Sequence, residues 1–480
     1  MSEAGGFEKL RREVIDTGLC TRCGSCVGVC PPGAIEFREP LGVSLPAIRD
    51  SAACEGCPGH CYTGCSGGAV HFPTLAAFTH GRQPANPYLG VFQSLYVGHA
   101  NDEHVRRAGA SGGIISATAI YMLEHDMVDG VVALGANREE PWRFEPRIAR
   151  SRAEVLECAQ SKYSISPANV ILRELDKEAP GFRAAFIGIP CQVHAIRKLQ
   201  ADGHPAARKI RYVIGSYCGN ILHFDAVRGF LAKHGVADYT AISRLEYRAG
   251  EWPGKMRVTL VDGRVLEMPK FYANYLIPFY MMRRCLTCTD LANEFSDISG
   301  GDAWAPVYEE RGKGFSLIMG RTDRGQRVIE EMIRKGRLTV EPVEEGFTVN
   351  MHSHMLDFKK RGAFLRIDAM RARGKAVPSY GFRPVTPAPF GRRAFEVLLR
   401  LIYGVCSLRL SQWTVAQLPT GLTGRLFEQA RRRWKGVTKS TKRKGFSEIE
   451  FTFEPPRQTV YQLPAEELGE QSAALAERAE

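Results

Sequence analysis

The chain is expected to be a multidomain α+β and α/β protein. A small cysteine-rich domain leads, an α/β domain on a mostly parallel sheet follows, and a helical, basic extension comes last. Three observations predict this. Eight of the fourteen cysteines fall between Cys20 and Cys65, in a stretch rich in Gly and Pro and too short to hold much core. From Tyr88, apolar runs of strand length alternate with helical segments, the texture of stacked βαβ units. Phe390–Gly445 carries thirteen Lys/Arg against two Glu, or +11 of the net +12, whereas Phe446–Glu480 carries −6 and residues 1–389 carry +7.

The composition of the 480 residues, 44% hydrophobic and 24% charged, excludes a wholly disordered chain, a collagen and a coiled-coil rod. A chain this long buries enough core to fold without disulfides. No apolar run reaches membrane-span length, and Met1–Gly18 lacks the apolar core of a signal peptide. The expectation is a cytoplasmic protein, in which clustered thiols point to metal.

The elements follow in order. Residues 1–85 form the cysteine domain, ending at the polar linker His80–Pro87. Residues 88–380 form the α/β domain, in halves of about 88–175 and 180–350. Strands are expected at Val91–Ala100, Val128–Leu134, Ala184–Ile189, Arg211–Ser216 and Ser316–Arg321. Helices are expected at Ser111–His125, Val193–Gln200, Phe224–His234 and Gly325–Lys335. Glu246–Glu267 reads as a β-hairpin turning at Asp262–Gly263. A proline-rich linker from Pro378 leads to a basic amphipathic segment, 390–445, and an acidic, flexible tail, 446–480.

The chemistry is densest in the first domain. Cys20, Cys23, Cys26 and Cys30 are spaced C-x2-C-x2-C-x3-C and followed by Pro31, the bacterial ferredoxin run. Three of its thiolates hold one 4Fe-4S cluster and the fourth crosses to a second. Gly24 and Gly28 permit the tight loop. Zinc more often takes two pairs of ligands joined by a longer loop. Cys54, Cys57, Cys61 and Cys65 follow as C-x2-C-x3-C-x3-C, one residue longer than the standard second run. The crossover would give one site Cys20, Cys23, Cys26 and Cys65, and the other Cys54, Cys57, Cys61 and Cys30. His60 is an alternative ligand, more simply a bystander.

Four further cysteines are scattered. Cys191 and Cys218 each end a strand, one βαβ unit apart, so both thiols reach the same sheet edge. Cys285 and Cys288 form a C-x2-C. The four close a thiolate set for a third cluster, with buried structural cysteines as the equally weighted alternative. Cys158 and Cys406 read as packing residues.

Residues 90–350 resemble the beta subunit of the coenzyme F420 hydrogenase/dehydrogenase family. The stretches that carry the resemblance are Ala110-Ser-Gly-Gly-Ile-Ile-Ser-Ala, Ser161-Lys-Tyr-Ser-Ile-Ser-Pro and Gly188-Ile-Pro-Cys-Gln-Val-His-Ala-Ile-Arg-Lys-Leu. They continue with Tyr217-Cys, Trp252-Pro-Gly-Lys, Cys285-x-x-Cys, Ser296-Asp-Ile-Ser-Gly-Gly-Asp-Ala-Trp and Arg321-Thr-Asp-x-Gly. The resemblance implies a flavoprotein that moves electrons between FAD and 4Fe-4S clusters, with Cys191, Cys218, Cys285 and Cys288 holding one cluster. The family's hydrogenase subunit lacks the fused N-terminal two-cluster block, and residues 390–480 lie outside the resemblance.

Candidate flavin contacts are Ser111, Gly112 and Gly113 before a helix N-terminus, where a pyrophosphate is stabilised, then Ser161, Lys162, Tyr163 and Asp302. Gly-Gly before a helix is by itself more often a plain cap, so this assignment leans on the resemblance. No nucleophile-and-base pattern is present, and catalytic residues are not identified. The expected function is an oxidoreductase coupling a two-electron substrate, with coenzyme F420 the candidate, to a ferredoxin-like carrier or redox partner subunit. The alternatives are a flavin-free electron-relay subunit and, least favoured, a nucleic-acid binder.

In Ala394–Ser411, Glu396, Arg400, Gly404 and Ser407 form one narrow polar stripe on an otherwise apolar helix. Either this helix docks on protein, or with its neighbouring Lys/Arg it lies on the inner face of a membrane.

Overall fold

The computed structural model describes residues 5–39, 44–85, 87–443 and 445–463. In the cysteine block the elements are short. Strands β1 (Ile35–Phe37) and β2 (Pro46–Ile48) pair antiparallel. Single helical turns at Ser25–Gly28 and His60–Thr63 each follow a left-handed glycine, Gly24 and Gly59.

The chain then builds β3 (Ser94–Ala100), helix α1 (Ile114–Glu124), β4 (Gly130–Ala136), β5 (Phe144–Ala149), β6 (Ala184–Gly188), helix α2 (Pro190–Ala201) and β7 (Ile210–Ser216). It leaves the sheet for β8 (Ile242–Ala249), β9 (Lys255–Leu260) and β10 (Val265–Pro269). It returns with β11 (Ile298–Asp302), β12 (Ser316–Gly320) and β13 (Leu338–Pro342). The large sheet has the order β13-β3-β12-β11-β7-β6-β4-β5. Its centre, β4-β6-β7-β11, is parallel, as the βαβ reading expects, while the remaining pairs on both flanks are antiparallel. The mostly parallel expectation thus describes the centre only. β3 and β12, read as parallel layers from their apolar runs, pair antiparallel to each other; an apolar run marks burial on both faces, not strand direction.

Glu246–Glu267 is a three-stranded meander rather than one hairpin. Asp262–Gly263 turns β9 into β10, as expected, but a second turn after Ala249 adds β8. Gly254 makes that turn, with φ +83° and no room for a Cβ against the Arg248 carbonyl.

The sheet is locked by charges without water. Asp297, fully buried, meets Arg197 at 2.9 Å and Arg324 at 2.7 Å and accepts Val213 N–H at 2.7 Å. Burial opposes its charge, but the two arginines outweigh burial and hold its carboxyl well below the usual range. Arg321 donates to the carbonyls of Leu89, Val91 and Ala292. Two residues of the recognisable motifs therefore serve the scaffold.

The cysteine block shares one apolar core with the body. Phe7, Leu10, Val27 and Ile35 cluster with Leu172, Val193, Ile196 and Leu199. A Cβ on Gly28 would meet the Asn169 carbonyl at 2.2 Å, so only glycine lets the cysteine turn approach this closely.

After β13 come α3 (Glu345–Asp357), a helical stretch to Arg371, and β14 (Phe382–Pro384). Helices α4 (Phe390–Cys406), α5 (Arg409–Gln417) and α6 (Thr420–Arg443) form the basic segment, and β15 (Phe451–Phe453) pairs with β14. The helix expected over Ala394–Ser411 therefore ends at Cys406 and restarts at Arg409. Residues 446–453, read as the start of a flexible tail, pack: Phe446 and Ile449 are buried. Residues 464–480 of that tail lie outside the described residues. Among the described residues, no helix is long and apolar enough to cross a membrane.

Candidate functional site

The fold sorts twelve cysteines into three sets. Cys20, Cys23, Cys26 and Cys65 lie together. Burial, then Cys65 and Cys23, push the Cys20 thiol up to about 12. Cys26 is raised by burial and then by Cys20, Cys23 and Cys65. Local donors face this set: Arg22 N–H reaches Cys20 Sγ at 3.4 Å and Gly67 N–H reaches Cys65 Sγ at 3.2 Å. The second set is Cys30, Cys54, Cys57 and Cys61, which together line one small hollow with Phe7, Val29 and Ile35. Burial, then Cys57, Cys54 and Cys30, raise the Cys61 thiol to about 12. His60 also lines this hollow, and its Nδ1 is engaged by Asp202, at 2.8 Å.

The third set joins residues distant in sequence. Cys191 opens α2, Cys218 follows β7, and Cys285 lies within a 3-10 turn that Cys288 caps. Burial raises Cys191, and Cys218, Cys23, Cys288 and Cys285 add to it. Cys23 is thus a neighbour of Cys191, as Cys61 is of Cys26. The sets run in a line: second, first, third.

Lys359 is buried beside the third set. Burial opposes its charge, but Cys288, Cys218 and Cys285 outweigh burial and raise its pKa above the usual lysine value. Arg284 ties this set to the block by donating to the carbonyls of Leu19 at 3.1 Å and Gly67 at 3.0 Å. Among the described residues, no three His, Cys, Asp or Glu side chains are drawn in tightly enough to grip a single metal ion.

The line ends at a cavity of about 1540 Å³, above the roughly 300–1,000 Å³ of ordinary ligand pockets. Cys218 belongs both to the third set and to the cavity wall, as do its neighbours Tyr217 and Gly219 to the wall. Helix α1 opens into the cavity, with Gly113 at φ +76° as its cap and Ile114, Ile115 and Ser116 along the wall. The first N–H groups of a helix have no partner within it, so this end suits a phosphate.

The wall beside this helix start, where Arg248 also donates to the Ala110 carbonyl, is electrostatically set. Arg248, buried in β8, grips Asp302 through both carboxylate oxygens at 3.1 Å and donates to Tyr163 Oη at 3.1 Å. Trp252 Nε1 also donates to Asp302 at 3.1 Å. Burial pushes the Tyr163 phenol up, but Lys270 and Arg248 outweigh it and hold the phenol below its usual value.

His352, on α3, is the orphan of the site. Its Nε2 is buried without a hydrogen-bond partner, and the residue lines the cavity. Burial holds its pKa down to about 4, so the ring is neutral at pH 7. A buried polar atom without a partner costs free energy, and a bound ligand would satisfy it. A dinucleotide therefore fits this cavity on three counts: its size, an open helix N-terminus and an unsatisfied ring nitrogen.

Of the flavin contacts expected from sequence, Ser111, Gly113, Ser161, Lys162, Tyr163 and Asp302 line the cavity. Gly112 does not: its N–H donates to Ser316 Oγ at 2.9 Å, and a Cβ there would meet the Gly98 carbonyl at 2.5 Å. It is needed for packing against the sheet. The Lys162 ammonium is already held by the carbonyls of Cys158, Ala159 and Gln160, at 2.5, 2.6 and 3.1 Å. Burial lowers its pKa to about 8. Cys158, read as a packing residue, lines the cavity.

Sequence reading missed Arg248, Lys270, His352 and Lys359. Arg248 precedes the Trp252 motif in β8 and Lys270 opens a one-turn helix further on, and a single charge in either place carries no signal. His352 and Lys359 lie beyond the last motif, on the helical stretch that closes the cavity. Leu399, Tyr403 and Phe427 of the basic segment also line the cavity.

Comparison with known proteins gives three family models. "Coenzyme F420 hydrogenase/dehydrogenase, beta subunit N-term" matches residues 95–173, its "C terminus" counterpart matches 182–346, and "4Fe-4S binding domain" matches 13–36. The chain is 26% identical over 355 residues to coenzyme F420-dependent sulfite reductase of Methanocaldococcus jannaschii, covering 71% of this chain and 50% of that protein. It thus spans only half the length of that relative. It is 25% identical over 263 residues to coenzyme F420 hydrogenase subunit beta of Methanosarcina barkeri, covering 54% of this chain and 85% of that one. It is 28% identical over 361 residues to a subunit of the F(420)H(2) dehydrogenase of Methanosarcina mazei, covering 73% and 92%. A chain from the F420-reducing [NiFe] hydrogenase complex of Methanosarcina barkeri superimposes with a TM-score of 0.49 at 22% identity, over 61% of this chain and 97% of that chain.

Proposed function

Because the chain belongs to the family of coenzyme F420 hydrogenase/dehydrogenase beta subunits, we propose that it is an iron–sulfur flavoprotein oxidoreductase. It couples a two-electron donor, reduced coenzyme F420, to a one-electron carrier such as a ferredoxin or a redox partner subunit. The observation that carries this reading is the sharing of Cys218 between the third thiol set and the cavity wall. A chain of one-electron sites that ends at a cavity with room for two ligands is the arrangement such a coupling needs.

In this reading the 4Fe-4S clusters are held by Cys20, Cys23, Cys26 and Cys65, by Cys30, Cys54, Cys57 and Cys61, and by Cys191, Cys218, Cys285 and Cys288. FAD would be held in the cavity and supplies chemistry that handles both one- and two-electron exchange, whereas a cluster carries one electron. The α1 N-terminus would hold its phosphates, and His352 Nε2 would gain a hydrogen bond it lacks in the protein alone. Arg248 and Trp252 fix the Asp302 carboxylate, so the wall keeps its shape and charge as ligands come and go. No side chain need act as a nucleophile.

The test is anaerobic purification followed by acid release of flavin and parallel reduction with reduced F420, NAD(P)H and reduced ferredoxin. About one FAD per chain and bleaching of the cluster absorbance by reduced F420 are expected. Full iron without flavin would replace this reading with a flavin-free relay subunit. Flavin reduced by NAD(P)H but not by F420 would keep the coupling and change the donor.

A further inference from the structure

Helix α4 is built the wrong way round for a surface helix. Its polar stripe faces the protein. Glu396, 2% exposed, accepts from Arg392 at 2.8 Å and from Arg366 at 3.1 Å, and Arg392 reaches Asp357 at 2.9 Å. Phe395 and Leu399 pack on the same inner side. The outer side carries Val397, Leu398, Leu401 and Val405, at the i, i+1, i+4, i+8 spacing of a helix face, and Leu401 and Val405 are 60% and 58% exposed. The apolar surface continues onto α5 through Leu410 and Trp413, 72% and 63% exposed, and onto α6 through Leu422 and Leu426. Twelve of the twenty exposed large hydrophobic residues among the described ones lie between Phe390 and Leu426. An exposed apolar area of this kind marks a surface made to be covered.

The charges around it have one sign. Arg393, Arg409, Arg425 and Arg433 are exposed on these helices. The segment's two acidic residues, Glu396 and Glu428, are both buried and ion-paired to arginine. Within the segment itself, no carboxylate is exposed among the described residues.

We propose that α4, α5 and α6 seat the protein on an anionic membrane surface. The outer residues of α4 and α5 enter the lipid, Trp413 lies at the headgroup level where its amphipathic ring is favoured, and the arginines meet lipid phosphates. Adhesion is peripheral, since no described helix crosses a bilayer. The buried ion pairs of Arg392, Glu396, Asp357 and Arg366 hold the helix in this orientation. The inner sides of α4 and α6 supply Leu399, Tyr403 and Phe427 to the cavity, so the seat and the cavity wall are two faces of the same helices.

The experiment uses the full chain, loaded with its clusters. Flotation is compared on phosphatidylcholine vesicles with and without about one-third phosphatidylglycerol, at low ionic strength. Strong flotation on the anionic vesicles is expected, with a fall of about tenfold or more for Leu401→Glu/Trp413→Glu and for Arg409→Glu/Arg425→Glu. Iron content and bound flavin should not change in either variant, since these side chains face outward. Failure of the unaltered chain to float on anionic vesicles, or equal flotation of the Leu401/Trp413 variant, would overturn the proposal. So would a soluble dimer that this variant converts to monomer, which would assign the face to self-association. A second measurement serves if a variant misfolds: brominated lipid should quench a fluorescence component that is lost in Trp413→Phe, and no quenching would also overturn the proposal.

Discussion

The cysteine block and the large sheet are ordered by different means. The sheet places Val131, Val132, Ala185, Phe186, Val213 and Ile214 wholly out of water, and apolar burial of this kind orders a fold without help. Among its described residues the block has strands of three residues and no helix longer than the nine of Phe72–His80, below the length at which either is stable alone. Eight thiols share its interior with apolar side chains that pack on the body. The contrast teaches that the block is held by what its thiols bind and by its docking on the body, while the body needs neither.

The largest expected effect follows directly. With three four-thiolate sites, the anaerobic protein should carry about 12 irons with matching sulfide. Chelation should expose residues 5–80 to limited proteolysis while the sheet remains protected, because metal binding and folding are linked. Simultaneous loss of both regions would break the comparison, and stoichiometric zinc without sulfide would remove its basis.

Next, Cys191→Ser or Cys285→Ser should remove about four irons and leave about eight, because these ligands lie in the body and the others in the block. Unchanged iron and unchanged spectra would make the four thiols structural. Replacing Arg284 by Met sharpens the contrast at the junction. It leaves the Leu19 and Gly67 carbonyls without this buried donor, and should cost about 2–3 kcal/mol in denaturant unfolding of the block. Arg284→Lys should restore part of that loss.

Smaller effects are expected within the body. His352→Phe should weaken FAD about tenfold, or about 1.4 kcal/mol, by equilibrium release, at constant iron. Lys359→Met removes a positive charge beside the third set and so disfavours its reduced state. Its potential should fall by on the order of 60 mV, a tenfold bias for a one-electron couple, in an EPR-monitored titration. No shift would place Lys359 outside the field of the cluster.

What was legible in the sequence divides along the same line. The cysteine spacing announced the two sets of the block, including the exchange of Cys30 and Cys65, because three thiolates around one cube demand a short fixed spacing. The central strands were visible as apolar runs between helices. Strand direction at the edges was not, since β12 is buried throughout like its parallel neighbours and β3 alternates buried with half-buried residues, and neither pattern specifies direction. The third set carried no local spacing signal: it was assembled from two strand ends at one sheet edge, a C-x2-C pair, a closed count of thiols and the resemblance, because Cys191, Cys218 and Cys285 are joined by the sheet. His352 and Lys359 gave no sign, since their chemistry comes from neighbours that are remote in the chain. The polar stripe of α4 was visible and its direction was not. Periodicity locates a stripe, but the partners Arg366 and Asp357, which turn it inward, are on other helices.

The linear order of the thiol sets has a consequence for handling the protein in air. Cys54 and Cys57 are partly exposed and sit among exposed residues, with Glu55, Gly56 and Pro58 between and after them. Cys23 and Cys26 are buried in the next set inward. Oxidation follows access, so oxygen damage should begin at the outer end of the line and advance toward the cavity. On the proposed function, a preparation made aerobically would keep the cavity and its inner sets while losing the outer site. It would then exchange electrons at the cavity yet pass them slowly to a protein carrier, a defect easily mistaken for the wrong choice of carrier.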